Sequence, residues 1–426
     1  MERYTGLIGI VLILGVAFLM SNNRKAINYR VVLSGLAIQL ALAVFILKTD
    51  IGKNIFASVA AGVKKLLSFS DHGAEFVFGV VANENAQLDT VFGQQYNFIF
   101  FFRVIPTIVF VAVLISILYY LGIMQRVVKG FAWVVYKLMG VSGAEAVSNT
   151  GSTFLGQVEA QILIKPYLKN MTMSELLASM TGSMACIAGG IMATYIALGV
   201  PAEYLLAASV MAAPGALVIS KIVWPETQVS ETKGKVVLEI KSKDANLVDA
   251  IARGASDGFK IGLNVIAMLI GFIAIVALLD HVLGEMGYFL ATKLNFSLSF
   301  INIDLKTLSL KQILGALFSI FAWAMGVPSK DVQAAGSLMG TKVVLNEFVA
   351  YLDMVKIQST LHPKTLIITS FALCGFANFG SVAIQVGGIG EMAPERRSDL
   401  AKLGIKALIC GTLASYMSAT IAGILM

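Results

Sequence analysis

Polar side chains crowd one stretch of an otherwise apolar chain. Ser148, Asn149, Thr150, Ser152, Thr153, Gln157, Glu159 and Gln161 all fall within Val147–Pro166, punctuated by Gly151 and Gly156. In hydrocarbon each unsatisfied polar group is costly, so such a segment survives only inside protein or against a water-filled cavity. An isolated carboxylate there marks a functional site by default. Glu159 and Gln157, two residues apart, read as ligands for something polar that enters the membrane. Carboxylate beside carboxamide offers two acceptors plus a donor–acceptor pair, the set that a nucleobase edge or an amide matches. Groups of this kind reject analogues that leave them unpaired. The plainer alternative is that both bond neighbouring helices or loop backbone.

A second cluster lies far along the chain. Asn346 and Glu347 sit in KVVLNEFVAYL, and Asn378 and Ser381 sit at an interruption, CGFANFGS. Three residues apart, Asn378 and Ser381 share a face if locally helical. They either hold a ligand or satisfy carbonyls freed by the interruption. Phe376, in the same interruption, either stacks on a ring or packs.

These groups need a scaffold, and composition says which kind. Of 426 residues, 57% are hydrophobic and 13% charged, against roughly 25% charged in a soluble domain. The expected fold is an all-α polytopic membrane protein. Its net charge of +7 does not signal nucleic acid, because the basic residues fall in short loops between apolar spans, where they set orientation. Cys186, Cys374 and Cys410 lie in apolar stretches without metal-ligand spacing and read as small buried hydrophobes. Three scattered histidines make no metal site, and no Ser/His/Asp set is present, so no enzyme is expected. GGIGEM (Gly387–Met392) follows no strand and is no phosphate loop.

In chain order, Thr5–Met20 and Val31–Leu47 are two spans joined by a loop with Arg24, Lys25 and Arg30. Thr5–Met20 lacks the basic n-region and cleavage site of a signal peptide. Lys53–Phe69 reads as an interfacial amphipathic helix, and Ser70–Asn97 as an outer polar connector. Phe98–Leu121 is the third span, returning to Arg126, Lys129 and Lys137. Gly140–Leu168 is expected to form a re-entrant hairpin. Ser174–Leu198 is a span interrupted around Ala188–Gly190, and Ala202–Trp224 is the fifth. Glu226–Asn246 is a cytoplasmic linker and Leu247–Phe259 an amphipathic helix. Lys260–Val282 spans outward to an outer connector, Gly284–Ser309. Leu310–Trp323 and Val332–Tyr351, broken at Gly326–Ser329, form a second hairpin of opposite orientation. Thr365–Ala383 is a broken span, and Leu403–Leu425 is the last of about eight. The divisions are 1–97, 98–139, 140–225, 226–259, 260–309 and 310–426, with 98–139 and 260–309 as scaffold. Cationic patches after spans one, three, five and seven put both termini outside. Hairpin, broken span and span occur twice, the expected mark of an inverted repeat whose broken helices build a midplane site.

The residues resemble the concentrative nucleoside transporter family over most of the chain. The likeness is carried by GSTFLGQVEAQILIKPYL (Gly151–Leu168), by motifs within Ala185–Thr227, and by AWAMGVPS (Ala322–Ser329). GTKVVLNEFVAYL (Gly340–Leu352) and CGFANFGSVAI (Cys374–Ile384) complete it. The resemblance implies a homotrimer in a bacterial inner membrane, each protomer moving a transport domain like an elevator to import a nucleoside with a cation. By motif position, Gln157 and Glu159 would bond the base, with Gly156 and Val158 beside it. Glu347, Asn378 and Ser381 would bond the ribose, and Phe376 and Ile191 would line the pocket. A sodium ion would sit near Ser152, Leu155, Cys186 and Ile187. Many members carry Asn at the position of Ser152, Thr at that of Val158, and Ser or Thr at that of Cys186. Sodium wants hard oxygens and sulfur is soft, so both Na+ and H+ stay open, the proton through Glu159 or Glu347. Beyond the cation no cofactor is expected. A gated channel or facilitative pore is the rival reading.

Overall fold

The structure is a computed structural model describing residues 2–82, 99–234, 244–293 and 303–426. Parts of the expected connectors Ser70–Asn97 and Gly284–Ser309 and of the expected linker Glu226–Asn246 lie outside the described residues. No β-strand forms among the described residues. The long helices are α1 (Glu2–Leu19), α2 (Tyr29–Lys48), α3 (Asp50–Phe78), α4 (Phe100–Tyr120) and α5 (Ile123–Met139). Four shorter ones follow: α6 (Gly143–Ser152), α7 (Glu159–Ile162), α8 (Met173–Ala185) and α9 (Gly189–Ala197). After α10 (Ala202–Val223) and α11 (Leu247–Lys293) come α12 (Leu310–Ala324), α13 (Val332–Val344) and α14 (Glu347–Ile357). The chain closes with α15 (Pro363–Leu373), α16 (Phe379–Met392) and α17 (Arg397–Leu425).

Among the described residues, six helical stretches are long and apolar enough to cross a membrane: α2, α4, α8–α9, α10, α11 and Pro394–Leu425. Two expected spans are carried by shorter apolar helices, Thr5–Leu19 and Pro363–Leu373. Burial sorts the long helices into two groups. The span window of α10 is 89% buried, whereas that of α11 is only 17% buried. Helix α10 is therefore core, packed on α2, α8 and α17, and α11 is peripheral.

Helices α4 and α11 pair along their length through Gly254, Gly258 and Gly262, which recur every four residues. A Cβ on Gly258 would lie 2.7 Å from Ala112 Cβ and 2.8 Å from Val109 Cα. Without a hydrophobic drive between helices in lipid, close approach over small residues supplies the attraction. The expected division at residue 259 falls inside α11, one continuous helix of 47 residues, because that glycine row runs unbroken across it. Helix α3 likewise continues through Ser70–Phe78, part of the stretch expected as connector. The Ser70 hydroxyl lies 3.2 Å from that of Thr107 on α4.

Short helices start where side chains satisfy their orphan amides. Ser142 and Glu145 form a capping box on α6, and Thr172 and Glu175 form another on α8. Lys221 of α10 pairs with Glu145 and donates to Ser174 at 2.8 Å. The starts of α6 and α8 and the end of α10 are thus pinned together.

The element order repeats. A long helix, a second helix, two short ones, a broken pair and a long buried helix occur as α4–α10 and again as α11–α17. This alignment moves the tip of the second short pair. The expected break at Gly326–Ser329 does separate α12 from α13, which pack antiparallel over Gly315, Gly336 and Gly340. The expected continuous arm Val332–Tyr351, however, is interrupted at Leu345–Asn346, where the Asn346 side chain accepts from Val349 N at 2.9 Å and starts α14. The counterpart of α6–α7 is therefore α13–α14. Glu159 and Glu347 are each the first residue of the second helix of their pair, where a carboxylate favours the positive helix end.

Candidate functional site

The two broken pairs meet at their breaks. Gly375, between α15 and α16, has φ +137°, and a Cβ there would lie 2.7 Å from Ala185 O. Only glycine allows both that backbone and that approach. Phe376 N donates to Cys186 O at 3.3 Å, joining the interruption of α15–α16 to that of α8–α9.

Glu347 is buried and accepts two hydrogen bonds, from Tyr195 OH at 2.8 Å and Asn378 Nδ2 at 3.1 Å. Asn378 caps α16 by accepting from Ser381 N at 2.8 Å. Its two side-chain ends thus hold the carboxylate and the backbone of Ser381 together. Tyr195 is fixed between Tyr351, 4.6 Å away ring to ring, and Phe348 at 5.6 Å. Ile191, half-buried, lies one turn before Tyr195 on the same face of α9. Phe376 is half-buried at the break.

Gln157 and Glu159 lie between α6 and α7 and at the start of α7. Glu159 is exposed and folds over Gly156, where any Cβ would strike its carboxylate. The Gln157 Oε1 lies 3.5 Å from Gln385 Nε2 on α16. Val158 packs into the notch at Gly388, where a Cβ would lie 2.8 Å from either Val158 methyl. Helix α16 therefore touches both clusters: Asn378 and Ser381 near Glu347, then Gln385 and Gly388 against Gln157 and Val158. Asn378 and Gln385 are seven residues apart, roughly 10 Å along a helix.

Ser152, Leu155, Cys186 and Ile187 gather at a third junction, between the α6–α7 turn and the α8–α9 break. All four are buried. The Ser152 hydroxyl donates to Ser148 O at 2.8 Å and lies 3.0 Å from the Ser183 hydroxyl. Cys186 Sγ lies 3.7 Å from Thr153 Oγ1, and Cys186 O already accepts from Phe376 N. One hydroxyl and one sulfur are the side-chain donors of this set, and internal bonds engage both. Among the described residues no group of three His, Cys, Asp or Glu side chains gathers as a metal site.

Two buried groups here, Tyr195 and Lys342, carry no signal in the amino-acid order, and a third, Gln161, carries a partial one. Tyr195 bonds Glu347. Lys342, fully buried, donates to Ala372 O at 2.8 Å and reaches Ser415 Oγ at 3.4 Å. A cation at the carbonyl end of α15 opposes that helix dipole. Gln161 accepts from Ser148 at 3.2 Å and from Ser179, and donates to Ser183 at 2.6 Å. Its place in the polar stretch marks it, but not as a tie between α6, α7 and α8.

Buried polar groups brought together where helices break, within a bundle of long apolar helices, define an integral membrane transporter class. Family models agree. "Na+ dependent nucleoside transporter C-terminus" matches residues 204–423, "Na+ dependent nucleoside transporter N-terminus" matches 8–81, and "Nucleoside recognition" matches 101–202. An uncharacterized transporter of Haemophilus influenzae is 42% identical over 100% of this chain and 98% of its own length. The nucleoside permease NupC of Helicobacter pylori is 38% identical over 98% of this chain and 96% of its own. The structure of CNTnw in an inward-facing substrate-bound state is 40% identical, covers 100% of this chain and 98% of that one, and superposes with a TM-score of 0.91. The chain belongs to the concentrative nucleoside transporter family.

Proposed function

We propose that this protein imports nucleosides across a bacterial cytoplasmic membrane by symport with a cation. Gln157 and Glu159, with Gly156 and Val158, hold the base. Glu347, Asn378 and Ser381 hold the ribose hydroxyls, and Ile191 and Phe376 pack on the rings. The observation that carries this reading is helix α16, which bears on the base-side pair at Gln385 and Gly388 and on the sugar-side trio at Asn378 and Ser381. The separation suits a heterocycle joined to its sugar. An ionised Glu347 keeps acceptor capacity beyond its two hydrogen bonds, and vicinal hydroxyls supply matching donors.

Alternating access follows an elevator path in this reading. The α4–α11 pair is the scaffold of a homotrimer, and the core around α10 and α17, with both short pairs re-entrant, travels against it. Both termini lie outside. The cation is Na+ near Ser152, Leu155, Cys186 and Ile187, or H+ on Glu159 or Glu347. The engaged Ser152 hydroxyl and the Cys186 sulfur favour the proton, whereas membership of a family described as Na+ dependent favours sodium.

Uptake of radiolabelled uridine, adenosine and inosine into proteoliposomes under imposed sodium or proton gradients tests the whole reading. Accumulation above the outside concentration, driven by one gradient and abolished in Glu347→Gln, is expected. Equilibration without accumulation under either gradient would instead make the protein a pore.

A further inference from the structure

Gln385 is fully buried on α16, one turn beyond Ser381. Its Nε2 lies 3.3 Å from Met180 O and 3.5 Å from Gln157 Oε1, so its two N–H hydrogens have two acceptors. Its Oε1 is buried with no hydrogen-bond partner.

A side-chain amide can turn over, exchanging donor for acceptor at little cost when nothing nearby decides. Here something decides. Met180 O is a backbone carbonyl and only accepts, so it fixes which end of Gln385 is the amine. That amine in turn faces Gln157 and fixes its amide, since the opposite orientation would set two N–H donors against each other. Gln157 Oε1 is thereby turned toward Gln385, and Gln157 Nε2 is the end left facing a ligand. The notch at Gly388 that receives Val158 keeps the α6–α7 turn in register with this relay.

We propose that Gln385 is a specificity-determining positioning residue, which makes Gln157 a hydrogen-bond donor only toward the base and so selects bases presenting an acceptor at that point. This deepens the nucleoside reading and rests on it. Glu159, a carboxylate, supplies the acceptor beside that donor. A keto base and its amino counterpart differ at an exocyclic group and at the ring nitrogen beside it: a carbonyl acceptor and an N–H donor in uridine and inosine, an amino donor and a bare nitrogen acceptor in cytidine and adenosine. A fixed Gln157 facing the exocyclic group accepts the first of each pair and meets the second donor to donor. Misfaced buried hydrogen-bonding groups cost roughly tenfold or more in affinity.

The test is a ratio measured within one preparation, so that loss of folded protein cancels. The kcat/KM for uptake is compared between uridine and cytidine and between inosine and adenosine. Wild type should favour the keto member of at least one pair by about tenfold. Gln385→Leu frees Gln157 to turn over, and that ratio should fall to within about threefold of unity. Gln157→Glu leaves the buried relay intact but turns an acceptor toward the base, and should likewise bring the ratio to within about threefold of unity, because Glu159 still favours the ring N–H of the keto member. It carries the test if Gln385→Leu does not fold. Absence of discrimination in wild type, or an unchanged ratio in either folded variant, overturns the proposal while leaving nucleoside transport standing. Wild-type protein that moves no nucleoside overturns the reading beneath it.

Discussion

Replacing Tyr195 with Phe removes one oxygen and leaves the aromatic stack with Tyr351 and Phe348 in place. The lost hydroxyl donates to Glu347 Oε1 at 2.8 Å, leaving Asn378 Nδ2 at 3.1 Å as that carboxylate's other side-chain donor. A carboxylate held at both oxygens enters binding already oriented. Held at one, it must be ordered when the sugar arrives, which costs about 0.5–1.5 kcal/mol, or roughly twofold to tenfold in KM. The folded state also loses a hydrogen bond to a charged group, about 1.5–3 kcal/mol, which appears as a lower Tm. The diagnostic assay compares uridine with 2′,3′-dideoxyuridine. If Glu347 holds the ribose hydroxyls, the rise in KM should appear for uridine and vanish for the dideoxy analogue. Tyr195→Phe should also lower Tm little further once Glu347→Gln is present, because the two share one interaction. Equal KM rises for both nucleosides would refute the assignment of Glu347 to the sugar, and additive losses of Tm in the double variant would refute its pairing with Tyr195.

Three further outcomes follow from the packing. Gly258→Leu should lower Tm and the yield of folded protein by the equivalent of about 1–3 kcal/mol, because the facing atoms include the Val109 backbone. Gly271→Ala, with open space around it, should do neither, and thermal unfolding in detergent separates the two. Gly388→Ala should raise the nucleoside KM by pushing on Val158, and Val158→Ala in the same chain should restore it with a coupling of about 0.5–3 kcal/mol. Independent effects in that cycle would show that the turn does not rest on α16. Lys342→Met leaves the Ala372 carbonyl without its side-chain donor and should cost about 1–3 kcal/mol in unfolding free energy. A Tm within two or three degrees of wild type, about what a change below 1 kcal/mol produces, would assign that lysine no structural weight.

What is legible in the amino-acid order is whatever violates the bilayer's rules. A carboxylate among apolar residues, or an Asn–Phe–Gly run inside a span, stands out because lipid would reject it, so Glu159, Glu347 and Asn378 declare themselves by residue type alone. The extents of long helices are less legible. Composition changes near residue 259, yet α11 continues, because its glycine row is a statement about α4, a partner the local sequence does not mention. The second short pair is displaced from its expected position for a similar reason. Gly326–Pro328 is the stronger turn signal, and it does end α12, but the tip carrying Glu347 is made by Asn346, an N-cap whose amide, taken from sequence, is equally a ligand candidate.

Tyr195 and Gln385 are silent in the sequence for one shared geometric reason. Each lies one turn beyond a residue that does stand out: Tyr195 four beyond Ile191, Gln385 four beyond Ser381. A helix broken to present its first turn to a ligand necessarily presents the residue four positions further on the same face. In lipid that residue cannot be polar without a partner. The partner it finds is a side chain proposed to hold the ligand, on a neighbouring element: Tyr195 with Glu347, Gln385 with Gln157. Polar residues one turn behind a helix break are therefore where the orientation of such a site is set, and they are the positions at which substitution should alter selectivity before it abolishes transport.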